Sequence, residues 1–229
     1  SKKDIVLTCF GDCSEDCSFC SQSVHFSSPI SKHSLLDPEE VLQAAIQSEK
    51  IGAFDFCIVI AVKGPNKSQF KKVIESINLI KENTKLEIGC SLGSLTRDQA
   101  FALAEAGVWR YNHNLEACRE YFHKVCTTHT YDDRLETAKL VKESGMELCC
   151  GGIMGLGESP EQRLQLAYEI KELDPHTVPM NFLNPRPGTP LGHLKPRPSL
   201  EAIKTIAIFR LIMPDKVLMS GGGREVTLR

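Results

Sequence analysis

The sequence predicts an α/β fold of the TIM type, an incomplete (β/α) barrel forming one domain over residues 1–229. Three observations predict it. Short β-branched or apolar runs alternate with longer amphipathic ones, which is the pattern of parallel α/β proteins. The longer runs carry helix start and stop signals, and no composition break or linker divides the chain. At 229 residues, 41% hydrophobic and 24% charged, the chain is long and apolar enough to bury a substantial core.

Taken in order, the first strand is expected over Asp4–Cys9. Asp37-Pro38-Glu39-Glu40 then opens a helix, with Pro at the first helical position and Gly52 just past its end. A strand over Phe54–Ala61 precedes a helix from about Lys67 to Asn83, and a strand over Leu86–Cys90 precedes one that Thr96 starts and Gly107 stops. Val108–Leu115 reads as the next strand, and Thr130-Tyr131-Asp132-Asp133 starts a helix that stops at Gly145. Strands over Glu147–Ile153, Thr177–Phe182 and Lys216–Ser220 are separated by helices opening at Ser159-Pro160-Glu161 and Ser199-Leu200-Glu201. That gives about seven parallel strands and six helices, joined by right-handed crossovers into a barrel. A closed eightfold barrel takes about 250 residues. The sequence ends at Arg229, where a seventh helix and an eighth strand would be due, so closure is not expected.

Composition excludes several classes of partner. With 27 Lys and Arg against 29 Asp and Glu the formal charge is −2, which supplies no field for nucleic acid or an anionic membrane. No apolar run approaches the roughly 18–20 residues of a membrane span. The polar opening Ser1-Lys2-Lys3-Asp4 is not a signal region, so the expected location is cytoplasmic. The number out of line is ten cysteines. In a reducing compartment, clustered thiols indicate metal or redox chemistry.

Cys13, Cys17 and Cys20 are spaced by three and then two residues, in a loop at the C-terminal end of the first strand, where barrel active sites lie. Three thiolates can hold one face of an iron–sulfur cubane and leave one iron open, because a protein-closed cluster takes four. The alternative is structural zinc with Cys9 as fourth ligand, although no second Cys-x2-Cys pair accompanies it. In Tyr111-Asn112-His113-Asn114-Leu115-Glu116, period-two alternation sends Asn112, Asn114 and Glu116 to one face. Polar side chains facing into a barrel need partners, and a bound ligand supplies them. His113 points the other way and is expected to pack. The run Gly151-Gly152-Ile153-Met154-Gly155-Leu156-Gly157 lacks the order of a dinucleotide-binding loop.

The open-iron spacing on a (β/α) scaffold resembles the radical S-adenosylmethionine superfamily. The loop Gly11–Ser23, with Tyr111–Glu116, Thr127–Tyr131, Cys149–Glu158 and Asn181–Pro185 in this order, resembles biotin synthase over about residues 4–226. The resemblance implies a 4Fe-4S cluster on Cys13, Cys17 and Cys20, with S-adenosylmethionine chelating the open iron. It implies an auxiliary iron–sulfur cluster on Cys57, Cys90 and Cys149 that gives up sulfur to dethiobiotin, the three strands directing these side chains to one inner face. It assigns Asn112 to the substrate, Asn114 to substrate and cofactor, Glu116 to the ribose hydroxyls and Arg134 to the cofactor carboxylate. Asn181 falls at the substrate, Ile153 against the adenine, and the backbone of Phe19 at the adenine amino group, while the glycines let the cofactor approach the backbone. It also implies a flavodoxin or ferredoxin as electron donor and a homodimer.

The sequence departs from the family at Met219, where many members have an arginine on the auxiliary cluster. That predicts an auxiliary cluster distinct from the arginine-ligated 2Fe-2S form, with Cys118, Cys126 or Cys150 as a spare ligand. Two rival readings follow: a paralogue acting on another small molecule, and a cluster- or zinc-binding scaffold without catalysis.

Overall fold

The computed structural model describes residues 3–11, 13–31 and 33–228, the first of these segments by its backbone alone. In order the elements are β1 (Lys3–Gly11), α1 (Pro38–Lys50), β2 (Ala53–Ala61), α2 (Lys67–Asn83), β3 (Glu87–Ser91), α3 (Arg97–Ala106), β4 (Val108–Asn112), α4 (Arg119–Phe122), α5 (Tyr131–Glu143), β5 (Glu147–Cys149), β6 (Gly152–Met154), α6 (Pro160–Leu173), β7 (Thr177–Phe182), α7 (Ser199–Ile212), β8 (Val217–Ser220) and α8 (Arg224–Thr227). All six long helices expected from the sequence are present; α4 and α8 are added single turns. The elements group into two compact units interleaved in sequence. One holds the described residues of Ser1–Ser14, Ser31–Asn112 and Lys139–Glu147; the other those of Glu15–Ile30, His113–Ala138 and Leu148–Arg229.

In the first unit the strands run parallel in the order β1-β2-β3-β4. Local chemistry starts the intervening helices. The Glu40 carboxylate accepts from the Asp37 N–H (2.9 Å) ahead of α1. Asn66 and Gln69 exchange two 2.9 Å bonds at the start of α2, and Thr96 with Gln99 does the same for α3. β2 is buried over Phe56, Cys57 and Ile58, residues that point to both faces, as a parallel strand covered on each side requires. Ile77, Ile80 and Leu103 from α2 and α3 are fully buried. Register between β1 and β2 passes from Thr8↔Val59 to Phe10↔Ile60, so Cys9 is an extra, bulged residue. The side chain of Cys9, a candidate zinc ligand in the sequence, lies outside the described residues.

In the second unit β5 and β6 lie along one side of β7 and β8 along the other, all parallel. Cys149 pairs with Thr177 and Gly152 with Met180, so β5 and β6 keep one register. The strand expected over Glu147–Ile153 is thus in line but interrupted at Cys150 and Gly151. The cause is Pro179 opposite the break: it has no N–H to give to the ladder, and its carbonyl approaches Gly151 so closely that a Cβ there would overlap it. The strand expected to reach Leu115 ends at Asn112. His113 and Leu115 still donate to the carbonyls of Cys149 and Gly151 at 2.9 Å, but Glu116 turns into the left-handed region at φ 66°. Strict alternation therefore fails there. Buried Arg163 ties α6 to α7, 3.1 Å from Glu158 and 2.7 Å from Glu201. Among the described residues no helix is long and apolar enough to cross a membrane.

Candidate active site

The cysteine loop of the second unit is fastened at both ends of a turn. The Cys20 N–H donates to the Cys17 carbonyl (2.9 Å) and the Ser18 N–H to that of Val125 (2.8 Å). Asp16 accepts from the backbone N–H groups of Thr127 (2.8 Å) and Thr128 (3.2 Å) and from the Thr127 hydroxyl. Burial opposes ionisation of Asp16, but these bonds and one from Cys126 together hold it well below the usual carboxylate range. Thr128 Oγ1 donates to Glu15 (2.9 Å), and His129 Nδ1 lies against the same carboxylate. Cys126 Sγ is 3.1 Å from both Asp16 Oδ1 and His129 Nδ1. A hydrogen bond from Cys17, with those of His129 and Thr128, lowers the Cys126 thiol to about 4 against burial. The same contact, then burial, pushes the Cys17 thiol up. Glu15, Asp16 and His129 were missed as site residues, and Cys126, expected only as a spare ligand of the auxiliary cluster, serves this network. The available signal was the Thr-Thr-His-Thr-Tyr motif, whose partners in the loop lie more than a hundred positions away.

Arg134 is the hub of the site. Thr130 and Asp133 cap the start of α5 with reciprocal bonds of 2.7 and 3.2 Å, which sets Arg134 on the first turn. Its Nη1 donates to the Asn114 carbonyl (2.8 Å) and its Nε to His129 Nε2 (2.9 Å). Its side chain is 13% exposed, and Nη1 lies 3.9 Å from Glu116 Oε1. Arg134 is therefore half-buried and engaged with the site rather than an ordinary helix-surface residue. Asn114 Nδ2 lies 3.5 Å from Glu116 Oε1, and Asn114 Oδ1 accepts from the Gly151 N–H (3.1 Å). The other oxygen of Glu116, Oε2, is buried with no hydrogen-bond partner among the described residues. Burial raises the Glu116 carboxyl, and Arg134 only partly offsets this. The charges of Arg134 and Glu116 both act on Cys17 and Cys20. His113 is buried and, by desolvation first and then Arg134 and His129, held neutral, as a packing residue should be.

Phe19, Ile153 and Asn181 line one cleft of about 330 Å³ in this unit, with Asn184, Arg186 and Glu225 on its rim. The structure thus brings together three residues that the sequence assigned to cofactor and substrate. Asn181 Oδ1 accepts from the Gly222 N–H (2.8 Å), so one end of this side chain holds the loop after β8. Gly152 has a second reason to be glycine: a Cβ would come within 2.8 Å of the Glu116 carbonyl. Close backbone approach accounts for Gly151 and Gly152.

These residues fit the cofactor implied by the cysteine loop. A buried carboxylate oxygen without a partner costs free energy unless a ligand donates to it, and ribose hydroxyls are such donors. Soft thiols suit iron. Cys17 and Cys20 belong to this unit, while Cys13, half-buried, belongs to the first. The auxiliary set does not fit. Cys57 pairs with Gly89, and Cys90 with Ile58, so the expectation that Cys57, Cys90 and Cys149 share an inner face is corrected for Cys90. Asn112, assigned to the substrate, donates from Nδ2 to Cys57 Sγ at 3.1 Å. Among the spare thiols, Cys118 precedes α4 and Cys126 serves the Asp16–His129 network. Cys150 is fully buried and acts electrostatically on Tyr131 of α5. Met219 pairs with Pro179 on β7.

A parallel (β/α) fold carrying this loop defines a radical S-adenosylmethionine protein. Residues 7–169 match the family model of the radical SAM superfamily, to which the chain belongs, and residues 179–229 match the biotin and thiamin synthesis associated domain. It is 51% identical to biotin synthase of Salinispora tropica over 98% of this chain and 67% of that one. It is also 51% identical to biotin synthase of Mycobacterium avium over 95% of this chain and 63% of that one. Within the superfamily the chain is a member of the biotin synthase family, and it spans about two thirds of the length of these relatives. The solved structure of methylornithine synthase superposes with a TM-score of 0.84 at 21% identity, over 94% of this chain and 63% of that one, and shares the fold.

Proposed function

We propose that this chain is a radical SAM enzyme that abstracts hydrogen from dethiobiotin. The observation that carries the reading is the buried Oε2 of Glu116, which has no hydrogen-bond partner among the described residues, beside an Arg134 whose charge also reaches Cys17 and Cys20. Cys13, Cys17 and Cys20 are the thiolates for a 4Fe-4S cluster. Bound there, the cluster and S-adenosylmethionine supply an electron and a 5′-deoxyadenosyl radical able to take hydrogen from an unactivated C–H bond. Glu116 accepts from the ribose hydroxyls, and Asn114 orients it. Arg134 offers a charge-assisted contact to the cofactor carboxylate. Phe19 and Ile153 form the apolar wall for the adenine and keep water away from it. Asn181, Asn112 and Asn114 are assigned to the ureido group of the substrate, whose paired N–H and C=O groups match amide side chains. A flavodoxin or ferredoxin is the electron donor. Sulfur donation from a cluster on Cys57, Cys90 and Cys149 is not carried forward, because Cys90 lies on the wrong face of β3.

The test is anaerobic reconstitution followed by an assay for 5′-deoxyadenosine with and without dethiobiotin. Dethiobiotin is expected to accelerate cofactor cleavage, and Cys17→Ala to abolish it. Cleavage that other small molecules accelerate but dethiobiotin does not would replace this substrate with that of a paralogue. No cleavage by an iron-loaded protein would end the radical reading itself.

A further inference from the structure

The register between β2 and β3 settles which side chains stand beside Cys57. Cys57 pairs with Gly89 and Ile58 with Cys90. Paired residues on adjacent strands project to the same side, and neighbours along a strand to opposite sides. Gly89 therefore shares the face of Cys57, and Cys90 the face of Ile58. A second observation agrees: a Cβ placed on Gly89 would stand 3.5 Å from both the Cβ and the Sγ of Cys57 and 3.7 Å from the Arg110 carbonyl, all ordinary contacts. Gly89 also lies outside the left-handed region, so the backbone accepts a side chain there.

The opposite face is packed. Cys90 is fully buried and pairs with Tyr111. The Tyr111 hydroxyl donates to the Gly93 carbonyl (2.7 Å) and accepts from the Leu92 N–H (3.0 Å), which pins that layer. Bringing Cys90 round to Cys57 needs a one-residue slip of β3, and such a slip would turn buried Ile88 and Cys90 over together. Two thiols on opposite sides of a sheet cannot hold one small cluster.

We propose that this chain holds a single iron–sulfur cluster, that Cys90 is a packing residue, and that position 89 is where a thiol would join Cys57. The inference rests on the reading that the cysteine loop carries the radical cluster. The two fail differently. The register is read without iron: in Gly89→Cys, diamide, which takes up two electrons and two protons, is expected to link the introduced thiol to Cys57. Their 3.5 Å Cβ separation suits a disulfide. Wild-type protein is expected to show no Cys57–Cys90 link. A Cys57–Cys90 link, or no link in Gly89→Cys, would overturn the register argument. Iron and labile sulfide are then measured after reconstitution. Wild type is expected to hold about four irons, Cys90→Ala the same number, and the Cys13→Ala/Cys17→Ala/Cys20→Ala variant none. Iron retained by that triple variant and lost on adding Cys90→Ala would overturn the proposal. An absence of any cluster in wild type would instead remove the functional reading.

Discussion

Glu116 combines a buried carboxylate, a left-handed backbone and an oxygen without a hydrogen-bond partner among the described residues, a combination that is costly in the free protein and offset by a ligand. Glu116→Gln is expected to weaken binding of S-adenosylmethionine about 10–100-fold, the equivalent of one hydrogen bond to a charged group, as read by equilibrium dialysis. Because burial raises this carboxyl, the neutral variant is expected to melt no lower than wild type. Asp16 has the opposite sign. Its folded pKa is depressed below the unfolded value of about 3.9, so its stabilisation is present above that pH and lost as pH falls through the folded value. Asp16→Ala is expected to release iron to a chelator several-fold faster at neutral pH, with the gap closing in acid. The sequence displayed Asn114, Glu116 and Arg134, but not Asp16 and His129. Their roles depend on contacts between segments about 110 residues apart, and no local pattern encodes those.

Helices were legible as elements and strand ends were not. Capping boxes at Asn66, Thr96 and Ser159 are written in adjacent residues, so each helix start follows from chemistry three positions wide. The break between β5 and β6 depends on Pro179, which arrives from another strand. Gly151→Ala is expected to destabilise by about 1–3 kcal/mol, as overpacking does, and to lower the urea midpoint. The faces of β3 were misjudged for a similar reason. Alternation along a strand is local, but which residue stands opposite Cys57 is a matter of register, set by the packing of the strands.

At the scale of the whole molecule, each unit has its own buried charges to satisfy. In the first, Arg110 lies 3.6 Å from Asp55 and 3.7 Å from Glu147 and stacks on Trp109 at 3.9 Å. Arg110→Ala is expected to cost about 1–3 kcal/mol, because it removes a cation beside the buried Asp55 carboxylate, and chemical denaturation monitored by Trp109 fluorescence would measure it. By itself the sequence determined the alternation of parallel strands and helices, the helix starts, the cysteine loop and the family. Each of these is carried by residues adjacent in the chain or by periodicity along it. Only the tertiary structure decided that Cys90 turns away from Cys57, that Asn181 holds a loop as well as lining the cleft, and that Arg134 is a half-buried hub. These follow from register and from backbone approach between distant segments, where a shift of one residue reverses the face of a side chain without altering the pattern from which the fold is read.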